Sequence, residues 1–399
     1  MFEMSQIRNY LVFGSNNNKR VETTTMQSNK LRMAIRATAA VAVFGVAGQA
    51  SAVSFSAGDY DVSVYGYARM NASYDIDEDV ALSTRSGSYA DINTSGTSGA
   101  DGHFGADAVQ SRLGFKTVSP EGVSVTVEGD FRPGNLRLRH AFGEYNGVLM
   151  GQTWSNFNSF VGNTSTLDFD SLPGLAGLQG RVAQARYTTG PLSFSLEQPQ
   201  SSIQNNTNEK DGMPAITARF EESQGGLSYS AALLAHQVGY DTGATDDDAF
   251  GFATFVAAKM ALTDMITLQG TLTYTDGANS YLYRSGENFG AASAYVDGSG
   301  SVETISGYGG SVGAGINLGG GRSINIGYGY VEVDWDDAVD DGVGVGGESE
   351  KNQAVMANYQ WTPVKNVMMG VEYQFLKREN VDGSDGDANR ILFAAQYNF

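Results

Sequence analysis

The sequence predicts an all-β chain: a sixteen-stranded antiparallel transmembrane β-barrel with short periplasmic turns, long extracellular loops and an infolded third loop. Three observations carry this reading. The last nine residues, Ile391 to Phe399, alternate apolar and polar side chains and stop on an aromatic carboxyl terminus. From Tyr60 onward the dominant hydrophobic period is two, the spacing at which strand side chains alternate between faces. The connections alternate between short and long, as in a barrel with one rim of turns and one of loops.

The amino end stands apart from that fold. A length of 399 residues suits one large barrel or two ordinary domains. A hydrophobic content of 41% with a mean hydropathy of −0.24 is too little for a bundle of membrane helices. No apolar run reaches the roughly 18 residues that a spanning helix requires. The best run, 37–48, sits between Lys30, Arg32 and Arg36 on one side and Ala50-Ser51-Ala52 on the other. It reads as a secretory signal over residues 26–52, cut after Ala52. Residues 1–25 precede its basic region and read as an upstream extension that is not translated, with Met26 or Met33 as the start. Residues 53–399 form the barrel domain.

Sixteen alternating segments follow, at 60–75, 107–117, 123–131, 136–145, 148–154, 181–188, 192–198, 214–220, 227–236, 250–260, 265–275, 304–316, 323–331, 353–361, 367–375 and 389–399. Bacterial barrels have an even strand count, and about ten residues tilted near 45° cross an apolar band about 25 Å tall. Short links lie at 119–122, 146–147, 189–191 and 362–366; long links lie at 76–106, 155–180, 199–213, 276–303, 332–352 and 376–388. One outer link, Arg132-Pro133-Gly134-Asn135, is brief where a long loop is expected. Val125, Val127 and Phe131 hold one parity, as do Leu192, Phe194 and Leu196, then Ile266, Leu268, Leu272 and Tyr274, then Ile324, Ile326, Tyr328 and Tyr330. A barrel turns that parity to acyl chains and ends it in aromatic girdles, here Phe131, Tyr145, Trp361, Tyr373, Phe375 and Phe399. On the closing strand Phe393, Tyr397 and Phe399 form the expected signal to the barrel-assembly machinery.

Charge narrows the partners. Residues 1–52 hold six basic and two acidic residues, so the remainder carries 19 Lys and Arg against 42 Asp and Glu. Nucleic acid is excluded, because binding it requires a basic surface that neutralises phosphates. With no cysteine, thiol catalysis, disulfides and Cys-ligated zinc are excluded, which suits passage through an oxidising periplasm. Fifty-one glycines with seven prolines fit turns, strand bends and close strand packing. Surplus acid gathers in the long links, for example Asp334, Asp336, Asp337, Asp340, Asp341, Glu348 and Glu350. Such loops are either simply solvated or bridged by divalent cations to lipopolysaccharide.

With lipid outside, the inward parity carries the chemistry. It places Arg69, Arg112, Arg137, Arg139 and Arg186 in the lumen, with Lys116 near the periplasmic end. Glu128 and Asp130 point inward from the strand between and neutralise part of the array; lumenal arginines also serve simply to tie a barrel together. The link 155–180 carries Phe157, Phe160, Val161, Leu167, Phe169, Leu172, Leu175 and Leu178, more than a water-exposed loop needs. Folded inward, it would set Asp168 and Asp170 against the arginines and create a transverse field. Screening extends about 8 Å at physiological salt, comparable with a pore radius, so a passing ion would feel that field. A small carboxylate would meet bidentate guanidinium partners there. No cofactor or metal is expected. His103, His140 and His236 lack metal-ligand spacing. The G-x-S-x-G match at 309–313 lacks the strand, turn and helix of a nucleophile elbow. Asp382 to Asp387 lacks the glycine and terminal Glu of a calcium loop.

Five stretches resemble the DcaP family of trimeric outer-membrane porins: Tyr65-Gly66-Tyr67-Ala68-Arg69, 111–116 (SRLGFK), 136–145 (LRLRHAFGEY), 151–157 (GQTWSNF) and Leu167-Asp168-Phe169. The first two are common to many porins and the last three are more specific. The resemblance covers nearly the whole of 53–399. It implies a homotrimer in the Gram-negative outer membrane, an infolded third loop, an arginine-bearing constriction and a preference for small anionic solutes, dicarboxylates among them. Two features depart from it: only about eight residues separate the cut site from the first strand, so no amino-terminal coiled coil is expected, and the second outer link is very short. The resulting expectation is a passive channel and no enzyme. Two other classes stay open: a barrel hydrolase acting on lipid or peptide, which needs Ser, His and acid to converge, and a plugged structural or adhesive barrel.

Overall fold

The computed structural model describes residues 52–83, 86–96, 101–132, 134–286 and 288–399. The expected upstream extension and the signal segment as far as Ser51 lie outside them.

Alternation of apolar and polar residues leaves each strand one face for lipid and one for the lumen, and a closed sheet is the arrangement with no unpaired edge in the membrane. Sixteen antiparallel strands do close: β1 (Tyr60–Asp75), β2 in two parts (His103–Asp107 and Arg112–Val118), β3 (Ser124–Asp130), β4 (Arg137–Tyr145), β5 (Val148–Trp154), β6 (Arg181–Thr189), β7 (Leu192–Glu197), β8 (Ala215–Gln224), β9 (Leu227–Asp241), β10 (Asp246–Ala261), β11 (Ile266–Asp276), β12 (Ser306–Gly319), β13 (Arg322–Val333), β14 (Ser349–Trp361), β15 (Val367–Asn380) and β16 (Asp385–Asn398). The seam is β1 with β16, from Tyr67 opposite Asn398 to Asp75 opposite Arg390. A short strand, Val53–Ala57, turns through Gly58 (φ +64°) and pairs with the lower part of β1, Val53 opposite Val64. Phe399 exchanges two backbone hydrogen bonds with Gly66, so this short strand continues the line of β16 along the β1 edge.

Several strands run further toward the long-loop rim than the apolar period predicts. The expected long link 376–388 is a hairpin: β15 continues to Asn380, β16 starts at Asp385, and only Val381 to Ser384 turn. Lys377-Arg378-Glu379 and Asp385-Gly386-Asp387 are polar on both faces, so hydropathy carries no signal there, while the backbone ladder needs none. In β2 the reverse occurs. Its ladder to β1 breaks between Asp107 and Arg112, where Ser111 N donates to Ala108 O (3.1 Å).

The outward parity is as expected: Val125, Val127, Phe194, Leu196, Leu268, Leu272, Ile324 and Ile326 are all exposed on the barrel's exterior. The link 155–180 folds inward, and Phe157, Leu167, Leu172, Leu175 and Ala176 are buried. Its seat is paved with glycine. A Cβ on Gly327 would lie 2.7 Å from Leu172, one on Gly370 would lie 2.8 Å from Leu167, and those on Gly313 and Gly329 would collide with Thr164 and Pro173. The inner wall of β12, β13 and β15 therefore meets the loop nearly backbone to side chain. The G-x-S-x-G match is part of this seat. Burying each loop leucine contributes about 1.5–3 kcal/mol, which an exposed loop would forgo. Two more long links turn inward, burying Val80, Tyr89 and Ile92 from one and Tyr281, Leu282, Tyr283 and Arg284 from the other.

Candidate functional site

Polar side chains on the inner face of β1 to β5 converge by strand alternation, and one backbone irregularity adds to them. Asp130 lies opposite Arg137, Gly129 opposite Leu138, and Glu128 opposite His140, so Arg139 is the extra residue of a β-bulge. The bulge turns Arg139 and His140 inward together, where strict alternation would send one of them to lipid. Arg139 is buried, donating Nε to Glu128 Oε1 (2.9 Å) and Nη1 to Asp130 Oδ2 (2.9 Å). Arg137 forms a two-pronged pair with Asp130, Nε to Oδ1 (3.0 Å) and Nη2 to Oδ2 (2.7 Å), and its side chain is 39% exposed. Arg112 stands 3.8 Å from Glu128. His140 Nδ1 meets Thr153 Oγ1 at 2.9 Å.

Aromatic rings interleave with these cations. Arg112 lies 5.2 Å from the centres of both Tyr67 and Phe169; Arg139 lies 5.3 Å from Phe169 and 5.9 Å from Trp154; Arg181 lies 4.6 Å from Trp154. Such stacking occupies the face of a guanidinium and leaves its N–H edge free to donate. Tyr65 lies across Gly114, whose Cβ would be 2.6 Å from a ring carbon, and its hydroxyl reaches Glu128. Here only glycine leaves room. Buried N–H groups on Arg112 (Nε), Arg139 (Nη2) and Arg181 (Nη1) have no protein acceptor. Four guanidiniums thus face two carboxylates, with donors to spare.

The other expected residues lie elsewhere. Arg69 is a loop anchor: it donates Nη2 to Leu167 O (2.6 Å), Nε to Asn71 (2.9 Å) and Nη1 to Gln396 (3.2 Å). Asp168 is buried with its oxygens occupied, Oδ1 accepting from the amides of Asp170 (2.8 Å) and Ser171 (3.1 Å), and Oδ2 from Gln374 (3.1 Å). The arginines acting on it are Arg284, Arg390 and Arg69 rather than the bulge cluster. Asp170 is also buried. Phe169, between them, is the residue of this stretch that meets Arg112 and Arg139, and Phe160 packs on Trp154. Arg186 pairs across with Leu149 and Ser195, and its charged neighbours are Arg219, Glu197, Glu144 and Glu221, a separate group. On the closing strand Tyr397 and Phe399 are exposed on the outer wall, as their parity requires.

A closed sixteen-stranded wall, an inward loop and a cationic inner face are the parts of a channel. The sequence profile of one family, described as a porin subfamily, matches residues 63–396. The chain belongs to the porin family. Within it the likeness is to DcaP: the crystal structure of the outer membrane channel DcaP of Acinetobacter baumannii shares 30% identity, covers 89% of this chain and all of that one, and superposes with a TM-score of 0.74. Fold alone is shared with the anion-selective porin from Comamonas acidovorans (13% identity, 85% of this chain and 100% of that one, TM-score 0.53) and with Salmonella typhi OmpF (14%, 87% and 100%, 0.54). No curated protein sequence gives a match. This porin resides in the outer membrane of a Gram-negative cell.

Sequence reasoning missed four contributors to the porin's inner face. His140 was hidden by the bulge, since period-two counting cannot see an inserted residue. Arg181 opens β6 at a strand boundary, where parity is weakest. Glu372 and Arg284 hold the inward loops. Glu372 sits on the inward parity of β15 and could have been found there, whereas Arg284 lies in a loop without any periodic signal.

Proposed function

We propose that this porin is a passive diffusion channel for small hydrophilic solutes that favours anions, (di)carboxylates among them. The observation that carries the reading is the surplus of positive charge: Arg112, Arg137, Arg139 and Arg181 against Glu128 and Asp130, with Arg137, 39% exposed, the guanidinium most open to a solute. A carboxylate entering this region exchanges part of its hydration for fixed guanidinium edges, while the existing internal pairs keep the binding weak enough for release. Arg69, Asp168 and Asp170 shape the constriction through the loop, and Arg186 stands apart among Arg219, Glu144, Glu197 and Glu221. The working unit is a homotrimer surrounded by lipid and lipopolysaccharide, delivered by the barrel-assembly machinery through the Phe393, Tyr397 and Phe399 face.

The channel reading is favoured over a hydrolase because the histidines are dispersed. His140 is beside Thr153, His236 bonds Gly277 O, and His103 stands 3.4 Å from Asp79. Planar bilayers test the reading. A salt gradient should give a reversal potential of anionic sign, reduced by Arg137→Ala combined with Arg181→Ala. Cation selectivity in the unmodified protein would overturn the anion preference, and absence of conductance would leave a plugged barrel. The acidic long-loop rim repels anions at low salt, so entry should speed up as salt rises toward physiological strength.

A further inference from the structure

Resting on the channel reading, we propose that Phe169 is the specificity-determining residue of the constriction and that Glu372, on β15 two strands from β1 across the seam, is the residue that positions it. Glu372 is completely buried on β15 and spends all its acceptor capacity on one spot. Oε2 accepts from Leu167 N (2.7 Å) and Asn358 Nδ2 (2.8 Å), and Oε1 from Asp168 N (3.0 Å) and Gln374 Nε2 (2.7 Å). The carbonyl of Leu167 is gripped from the other side by Arg69 Nη2 (2.6 Å). The Leu167 side chain fills the space left by Gly370 and packs on Leu392 and Ala394. Both peptides before Phe169 are thereby fixed to the barrel wall, and its ring is delivered between Arg112 and Arg139, 5.2 and 5.3 Å away.

The ring does two things there. It is the loop side chain that meets Arg112 and Arg139, while Phe160 packs on Trp154 (5.1 Å) further along, so its bulk sets how closely the loop approaches those two guanidiniums. It also lies near the guanidinium faces, so an anion meets N–H edges beside a low-dielectric surface, where charge attraction is stronger. Glu372 acts only through this placement, since it touches no group of the cationic cluster.

Single-channel recording on folded, heat-resistant assemblies tests both roles. Phe169→Ala should raise conductance and weaken the half-blocking affinity of a small dicarboxylate, succinate, by about threefold, the equivalent of one exposed cation–aromatic contact. Phe169→Leu should keep conductance close to the parent while losing affinity. Glu372→Gln replaces an acceptor pair with one acceptor and one donor facing the two loop amides, and should change conductance in the direction of Phe169→Ala. The double variant Phe169→Ala with Glu372→Gln should add nothing to Phe169→Ala alone. If Phe169→Ala conducts and binds like the parent, the specificity role is wrong; if the double variant is additive, the positioning role is wrong. A parent protein that does not conduct or prefers cations would instead sink the channel reading beneath both.

Discussion

The two inner walls of the barrel are built on opposite principles. The wall of β1 to β5 keeps its side chains long and charged, while the wall of β12, β13 and β15 is cut back to Gly313, Gly327, Gly329 and Gly370 under the side chains of the loop 155–180, with Glu372 and Gln374 left to bind the loop's polar groups. On the first wall stability and function compete for the same groups: Arg139 neutralises Glu128 and Asp130, and Arg137 closes on Asp130 while remaining partly open to the lumen. The second wall is a mould. Its shape fixes the loop, and the loop's far side then faces the charged wall. An inner surface of a barrel can therefore be specified by what it lacks as well as by what it displays.

The sharpest way to break this contrast is Arg139→Ala. It takes from buried Glu128 its close guanidinium, leaving only Arg112 at 3.8 Å, and from Asp130 one of its two, and should cost roughly 3 kcal/mol, because removing one partner of a buried pair leaves the other poorly compensated. The midpoint of urea unfolding of the detergent-solubilised protein measures it. Next comes Gly327→Leu, which places a side chain where Leu172 now sits; overpacking of this kind costs about 1–3 kcal/mol. Because the loop has the lumen to retreat into, conductance should fall as well. Arg284→Ala should follow. Arg284 donates to Ser171 O and Gly87 O, both at 2.6 Å, and so ties three inward links together, and hydrogen bonds from a charged donor contribute about 1.5–3 kcal/mol. Its loss should appear as faster limited proteolysis within 155–180 and noisier open-channel current. The smallest effect on stability belongs to Arg137→Ala, at most about 1 kcal/mol for a part-exposed pair whose carboxylate keeps Arg139. Its effect on ion preference should nevertheless exceed that of Gly327→Leu. If Arg137→Ala unfolds the barrel as readily as Arg139→Ala, the division between structural and functional arginines is wrong.

Much of this was legible in advance. The sixteen strands, their outward faces and the inward loop follow from period-two alternation and from the apolar content of 155–180. The bulge cluster was half legible: Arg112, Arg137, Arg139, Glu128 and Asp130 do gather. Asp168 and Asp170 were expected across from it because a loop acid in a pore suggests a field. Asp168 instead binds its own loop amides and Gln374, a demand that arises only once the loop has to satisfy buried backbone groups. Arg69 and Arg186 were grouped with the cluster by parity alone, and parity gives the face of a residue but not its height along the barrel.

The sequence by itself determined that the strands would close into a barrel, since alternating strands set in lipid satisfy their backbone polarity only in a closed sheet. Only the tertiary structure decided which arginines hold the wall together, which remain available to a solute, and that glycines of the far wall seat the loop presenting Phe169. The reason is that a one-residue bulge shifts side chains without leaving a mark in the hydropathy period, and loop docking depends on contacts between residues some two hundred positions apart, of which hydropathy along the chain carries no record.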